Sequence, residues 1–408
     1  MKCPHRIRAY APQPSYALQN TGKISKKRTS GAPLMTFRRY RKKVESMLAA
    51  ADIRIGGDRP WDVQVLNEDI FPRVVAHGML GVGEGYVDGW WECEQLDEMI
   101  CRAFRADFHA NIRPLKYLFF TLDAQLRNLQ RKARAFQVGR QHYDLGTDLY
   151  RAMLDERMIY SCGYWKDAEN LEQAQEHKLD LIARKLQLEP GMKVLDIGCG
   201  WGGALNYLAE KYGVEGVGIT ISESQAQTAM EVCRDLPIDI RLQDFRDLRG
   251  SFDRIFSIGM FEHVGYKNYA TYMQVIDRCL TSDGLFLLHT IGGTVSRART
   301  DPWLTRYIFP NGMLPSPAQL TTATDGLLNI EDWHNFPQDY ERTLISWYDR
   351  FEHAWPDLKD NYGERFFRMW RYYLLACAGG FRAGGNQLWQ VVFSKGGVRG
   401  GYRPERIR

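Results

Sequence analysis

Val194-Leu195-Asp196-Ile197-Gly198-Cys199-Gly200-Trp201-Gly202-Gly203 is the stretch on which the reading of this chain turns. An apolar run carrying one acid breaks into a glycine-rich turn and leads directly into a run of helical character, Ala204–Tyr212. Glycines there let the backbone approach a ligand closely and turn sharply into the helix. The string fits the dinucleotide pattern G-x-G-x-x-G, so a nicotinamide cofactor has to be weighed. Such a site wants a carboxylate for the ribose about 20 residues on, whereas the next strand ends Gly218-Ile219-Thr220-Ile221-Ser222. Asp196, two residues before the first glycine, would also repel a pyrophosphate. It suits the cationic amino-acid end of S-adenosylmethionine instead. Asp244, closing a later strand between Gln243 and Phe245, is placed to read adenine. The ribose falls to hydroxyl and amide groups among Thr220, Ser222 and Gln225, with Gly198, Gly200 and Gly202 forming the loop.

Outward from this loop the pattern alternates. Strands are expected at Lys193–Ile197, Gly216–Ile219, Ile238–Leu242, Phe252–Ile258 and Gly284–His289. Helices are expected at Glu172–Leu188, stopped by Pro190-Gly191, and at Ala204–Tyr212, Ser222–Asp235 and Lys267–Leu280. This alternation predicts an α/β domain with a parallel sheet wrapped by helices. Before it lies a small mixed helical module, with helices at Arg41–Ala51, Phe71–Leu80 and Leu96–Phe104 and short strands at Ile53–Ile55 and Val63–Leu66. Gly83–Trp91 reads as too glycine-rich for a long element. The expected organisation is a basic tail (1–34), the amino-terminal module (35–123), a basic helical linker (124–141) and the catalytic domain (142–408).

Charge is unevenly spread. Met1 to Val44 holds twelve Lys or Arg and no acid, so the remainder carries −7 against +5 for the whole chain. The tail is read as a solvated disordered segment or the product of a start placed ahead of Met35, as an anchor for anionic lipid, or as a transit peptide. Basic charge is not carried into the folded part, which argues against nucleic acid. The eight cysteines are scattered with no metal-ligand or disulfide spacing, which fits a reducing cytoplasm. No apolar run approaches the roughly 20 residues that cross a bilayer. Twenty-one Tyr, 19 Phe and 11 Trp suit a large apolar pocket or a richly packed core equally.

Five ordered motifs carry a family resemblance: Tyr160-Ser161-Cys162-Gly163-Tyr164-Trp165, the glycine loop, Gly259-Met260-Phe261-Glu262-His263-Val264-Gly265, Leu288-His289-Thr290-Ile291-Gly292 and Ala376-Cys377-Ala378-Gly379. From about Arg38 to Ser394, including Gly89-Trp90-Trp91-Glu92-Cys93, the chain resembles the bacterial cyclopropane-fatty-acyl-phospholipid synthases. The resemblance implies a class I S-adenosylmethionine-dependent methyltransferase (Rossmann-like) domain behind a lipid-binding module. It implies a homodimer that docks peripherally on the inner membrane and acts on phospholipids with unsaturated acyl chains. A cis double bond takes the sulfonium methyl, a carbocation forms, and proton loss to a bound bicarbonate closes the ring. Glu262, His289 and Tyr348, with the backbone at Cys162 and Ile291, match the bicarbonate-holding positions; Cys377 matches a cysteine beside the active site, and Tyr160 and Ser161 contact the cofactor. Tyr160, Tyr164, Trp165, Phe261 and Tyr348 are aromatic candidates for steadying the cation. Docking is expected of the linker arginines, of Ile112–Leu122 and of Lys395, Arg399, Arg403, Arg406 and Arg408.

Overall fold

A computed structural model describes residues 34–108 and 146–405. The basic tail, Ile112–Leu122, the linker, Arg406 and Arg408 lie outside the described residues.

The described residues begin with helix Leu34–Ala50, whose Val44 and Leu48 are buried. Two short strands, β1 (Gln64–Val65) and β2 (Trp91–Glu92), pair antiparallel. Between them one expectation is corrected. The helical segment does not stop at Gly81: after helix Ile70–His77 and a break at Gly78, a second helix runs Met79–Val87 through three glycines. Close packing explains the composition. A Cβ on Gly83 would stand 2.5 Å from the Trp303 ring, and one on Gly85 2.2 Å from Ile70 Cδ1. Tertiary approach therefore overrides the low helix propensity of glycine. Helix Leu96–Arg105 completes the module.

The main sheet has seven strands: β3 (Lys193–Ile197), β4 (Glu215–Thr220), β5 (Ile238–Leu242), β6 (Phe252–Ile258), β7 (Leu280–Gly292), β8 (Asn329–Asn335) and β9 (Gln387–Ser394). Their order is β5-β4-β3-β6-β7-β9-β8. The first five are parallel, as the alternation predicts. The expectation of a parallel sheet needs correcting at one edge, where β9 inserts antiparallel between β7 and β8 and makes the sheet mixed. Both faces are covered. Helices Leu171–Lys185, Gly203–Tyr212 and Glu223–Val232 pack on one side with Leu285 and Leu287. Helices Tyr269–Cys279 and Pro317–Thr324 pack on the other with Phe286 and Leu288. Burial on both faces is why these strands read as continuous apolar runs.

Two long helices, Gln338–Tyr362 and Glu364–Arg382, join the module to the sheet domain. A Cβ on Gly379 would meet the Asp97 carbonyl oxygen at 2.3 Å, so helices Leu96–Arg105 and Glu364–Arg382 touch backbone to backbone there. Module residues Ile53, Phe71 and Leu96 share one apolar core with Trp303, Trp347 and Trp370.

Candidate active site

A cleft opens at the carboxyl ends of β3, β4 and β6, where ligands of open α/β sheets bind. Asp196, on β3, is 2% exposed and lines it. Its Oδ1 has no hydrogen-bond partner among the described residues, and burial pushes its pKa up to about 8. After it the chain turns through Gly198 (φ 93°) and Gly200 (φ 54°). Nothing stands within 4 Å of the position a Cβ on Gly200 would take, so the cleft side of the loop is open. Gly202 and Ser222 do not line the cleft. Gly202 (φ 86°) is the amino-terminal cap of helix Gly203–Tyr212, and a Cβ there would stand 3.1 Å from Ala229 Cβ and Cys233 Sγ. Ser222 caps helix Glu223–Val232 by accepting from the Gln225 N–H.

Thr220 donates its hydroxyl to Gln225 Oε1 at 2.9 Å, and both line the cleft. Gln243, Asp244 and Phe245 stand on the same wall. Asp244 is paired with Arg246 at 2.8 Å, and that guanidinium lies 4.6 Å over the Phe245 ring. Tyr160 and Ser161 also line the cleft. Ser161 accepts from Lys178 Nζ at 2.8 Å. Lys178, which stands behind Ser161, was not anticipated from the sequence. It is fully buried with its pKa lowered to about 8 by desolvation, against the pull of Asp155 and Asp196. The available signal was Lys178 and Lys185 lying on the apolar stripe of their own helix. This donor set fits S-adenosylmethionine: Asp196 offers an unpartnered oxygen to a cation beside an open glycine turn, and Thr220, Gln225 and Asp244 offer polar groups further along.

A second cluster lies beyond β6. Glu262, in a short turn after that strand, accepts the Ile291 N–H on Oε1 at 2.7 Å, while its buried Oε2 has no partner among the described residues. Burial pushes its carboxyl up to about 7, with the Ile291 and Thr290 donors pulling the other way. His289, on β7, is 1% exposed, and its Nε2 is likewise without a partner among the described residues. Desolvation, with Lys178, Lys185 and His334 behind it, holds the imidazole well below its ordinary basicity. Cys162 and Ile291 pack in one small apolar cluster with Leu388 and Phe336. Burial pushes the Cys162 thiol far up and Cys377 to about 12, so neither is a thiolate.

Tyr348 and Cys377 sit apart from these contacts, on the paired long helices. The Tyr348 hydroxyl donates to Glu352 and accepts from Arg371 Nε at 3.2 Å. Of the aromatic candidates, Tyr160 lines the cleft, its hydroxyl 2.7 Å from that of Tyr373 and its ring 5.1 Å from Trp347. Phe261 is stacked on Tyr269 at 4.1 Å, Tyr164 packs edge-on against Phe336, and Trp165 donates to Thr343. Trp201, which also lines the cleft, and Tyr373 beside Tyr160 were not anticipated.

Among known proteins, the sequence signature of the mycolic acid cyclopropane synthetase family matches residues 130–391. The cyclopropane-fatty-acyl-phospholipid synthase of Escherichia coli is 54% identical over 361 residues, covering 88% of this chain and 94% of that protein. Cyclopropane mycolic acid synthase 3 of Mycobacterium tuberculosis is 35% identical, covering 62% of this chain and 95% of its own. In structure, the cyclopropane synthase MmaA2 of M. tuberculosis superposes with a TM-score of 0.61 at 29% identity, over 66% of this chain and 100% of that one. Mycolic acid cyclopropane synthase CmaA1, complexed with SAH and CTAB, gives 0.60 at 31% identity, over 63% and 97%. Cleft, sheet order and sequence thus agree that this chain is an S-adenosylmethionine-dependent enzyme of the methyltransferase fold and belongs to the mycolic acid cyclopropane synthetase family.

Proposed function

We propose that the enzyme closes a cyclopropane ring across the cis double bond of unsaturated phospholipid acyl chains, through a carbocation whose last proton leaves to bicarbonate. One observation supports the step beyond simple methyl transfer: Glu262 Oε2 and His289 Nε2 are both buried and, among the described residues, both without a hydrogen-bond partner. Unpaired buried polar atoms are costly, and a small ligand lying between these two would satisfy both. Bicarbonate has that complementarity. Its hydroxyl donates to a carboxylate, and its oxygens accept from an imidazole N–H.

The residues divide the work accordingly. Asp196 and the glycine turn orient S-adenosylmethionine, which supplies an electrophilic methyl carbon when bound. An alkene offers no hydrogen-bond handle, so confinement in a dry, aromatic enclosure supplies much of the rate. The alkene's electron pair bonds to that carbon as the carbon–sulfur bond breaks, and the positive charge moves to the lipid. Tyr160, with Trp347 and Tyr373 close behind it, presents π-faces that steady a cation without trapping it. Glu262 and His289 hold the base that takes a proton from the added methyl, and the freed pair closes the ring. Cys162 contributes through its backbone; the Ile291 N–H holds Glu262 in place, and the Tyr348 hydroxyl is engaged by Glu352 and Arg371 instead of the anion.

Phospholipid is favoured over mycolic acid by coverage. The E. coli phospholipid enzyme matches 88% of the chain, whereas the mycolic acid relative is spanned almost entirely by 62% of it. No helix of the described residues is long and apolar enough to cross a membrane. The reading is of a homodimer docked peripherally through basic and apolar surface. Expression in a host rich in cis-unsaturated phospholipid tests it: acyl chains gain one CH₂ and lose the double bond. Gain of CH₂ with the double bond retained marks methyl branching and refutes ring closure.

A further inference from the structure

Behind His289 the sheet carries a polar row that the reaction scheme above does not use. In register, His289 on β7 faces Gln390 on β9, and Gln390 faces His334 on β8. His289 and Gln390 are both buried, and Gln390 Nε2 lies 3.3 Å from His289 Nδ1. An amide nitrogen has hydrogens to give and no lone pair to offer, so Gln390 donates and Nδ1 accepts. A neutral ring that accepts on Nδ1 carries its proton on Nε2, the atom left without a partner. At the far end of the row, Lys185 Nζ stands 3.2 Å from His334 Nδ1 and 3.4 Å from Asp332 Oδ2. Basic groups thus stand behind the ring and oppose its taking a second proton.

We propose that Gln390 is a positioning residue that fixes His289 as the neutral Nε2–H tautomer, leaving one hydrogen-bond donor for the anion that Glu262 also serves. The inference rests on the reading of His289 as a holder of bicarbonate. His289 and Ile291 are two residues apart on one strand and share a face of the sheet. The Ile291 N–H is taken by Glu262 Oε1, so His289 Nε2 remains as the donor of this pair. Protonation state matters to the chemistry. An imidazolium would hand its proton to the base and disarm it, and the Nδ1–H tautomer would turn a lone pair toward an anion. A neutral Nε2–H ring binds bicarbonate and leaves it basic.

The test is nitrogen-15 NMR of the full chain labelled at histidine, with His289 assigned by its loss in His289→Gln, combined with kinetics of Gln390→Glu and Gln390→Leu. In the wild type the His289 signals should be those of the Nε2–H tautomer. Glutamate keeps the shape but accepts instead of donating, so Gln390→Glu should move the proton to Nδ1 or charge the ring. It should lower kcat about 10- to 100-fold, the usual cost of losing the partner that orients a functional imidazole, while the KM for S-adenosylmethionine stays within about twofold. Gln390→Leu should give mixed tautomers and a smaller loss. An Nδ1–H ring in the wild type overturns the proposal, and so does a His289 tautomer indifferent to both substitutions. If the tautomer shifts as stated but turnover ignores bicarbonate, the positioning role stands and the bicarbonate reading falls.

Discussion

Asp196 and Glu262 are carboxyl groups raised by burial for opposite ends. With its pKa near 8, Asp196 is mostly protonated at pH 7 in the free enzyme, and a cation beside it draws the value down. Binding S-adenosylmethionine at pH 7 should therefore release a proton, and affinity should rise with pH toward about 8. Calorimetry in buffers of differing ionisation heat measures that release. Asp196→Asn should abolish it and weaken binding about 10- to 100-fold, the loss of one charge-assisted hydrogen bond. Glu262 must be ionised to accept the bicarbonate proton, so kcat should fall as pH drops through about 7. In Glu262→Gln that acid limb should vanish and kcat drop about 10²- to 10⁴-fold, with cofactor affinity kept. Stability supplies an independent check. The folded pKa lies above the unfolded one, so ionising Glu262 costs stability as pH rises from about 4.3 and the cost is complete above about 7. Thermal melts should show Glu262→Gln gaining on the wild type at pH 8 relative to pH 5. Both carboxyls were legible in the sequence, each at the end of a strand beside glycines. Lys178 shows only as a lysine on the apolar stripe of its helix, and Gln390 not at all, because nothing local marks the partner that an amide in a strand will meet.

At the scale of elements, the strands bounded on both sides by turn residues were legible: β3, β5 and β6 fall where the alternation puts them. The misses share a physical cause, since each depends on partners distant in sequence. Strand β9 is a short apolar run that could equally be a buried helical turn, and its antiparallel place between β7 and β8 is a matter of topology. Helix Met79–Val87 looks like a loop because glycine is a poor helix former, yet its glycines are where Trp303 and Ile70 press against the backbone. Gly83→Ala, favourable in an isolated helix, should therefore destabilise this protein by about 1–3 kcal/mol through overpacking, read as a lowered denaturation midpoint. Equal or greater stability would show that Trp303 moves aside freely.

For the whole molecule, the shared core between the module and the paired long helices means that the part expected to meet lipid is packed against the part that carries Tyr348. The acid-free opening holds seven Lys or Arg before Met35. Deleting it should spare turnover of detergent-dispersed lipid and reduce turnover on anionic vesicles. The deficit should close at high salt, where screening shortens to a few ångströms. Identical salt dependence with and without the segment would dismiss its part in docking. Ring closure on phospholipid is tested by a single turnover of the purified enzyme. It takes S-adenosylmethionine carrying a carbon-13 methyl, vesicles of a cis-unsaturated phospholipid and bicarbonate, with the extracted lipid read by NMR. The label should appear in a cyclopropane CH₂ with the vinyl signals gone, and labelling should slow when bicarbonate is withdrawn. Label appearing as a methyl group beside a surviving double bond, in the wild type with bicarbonate present, would contradict ring closure.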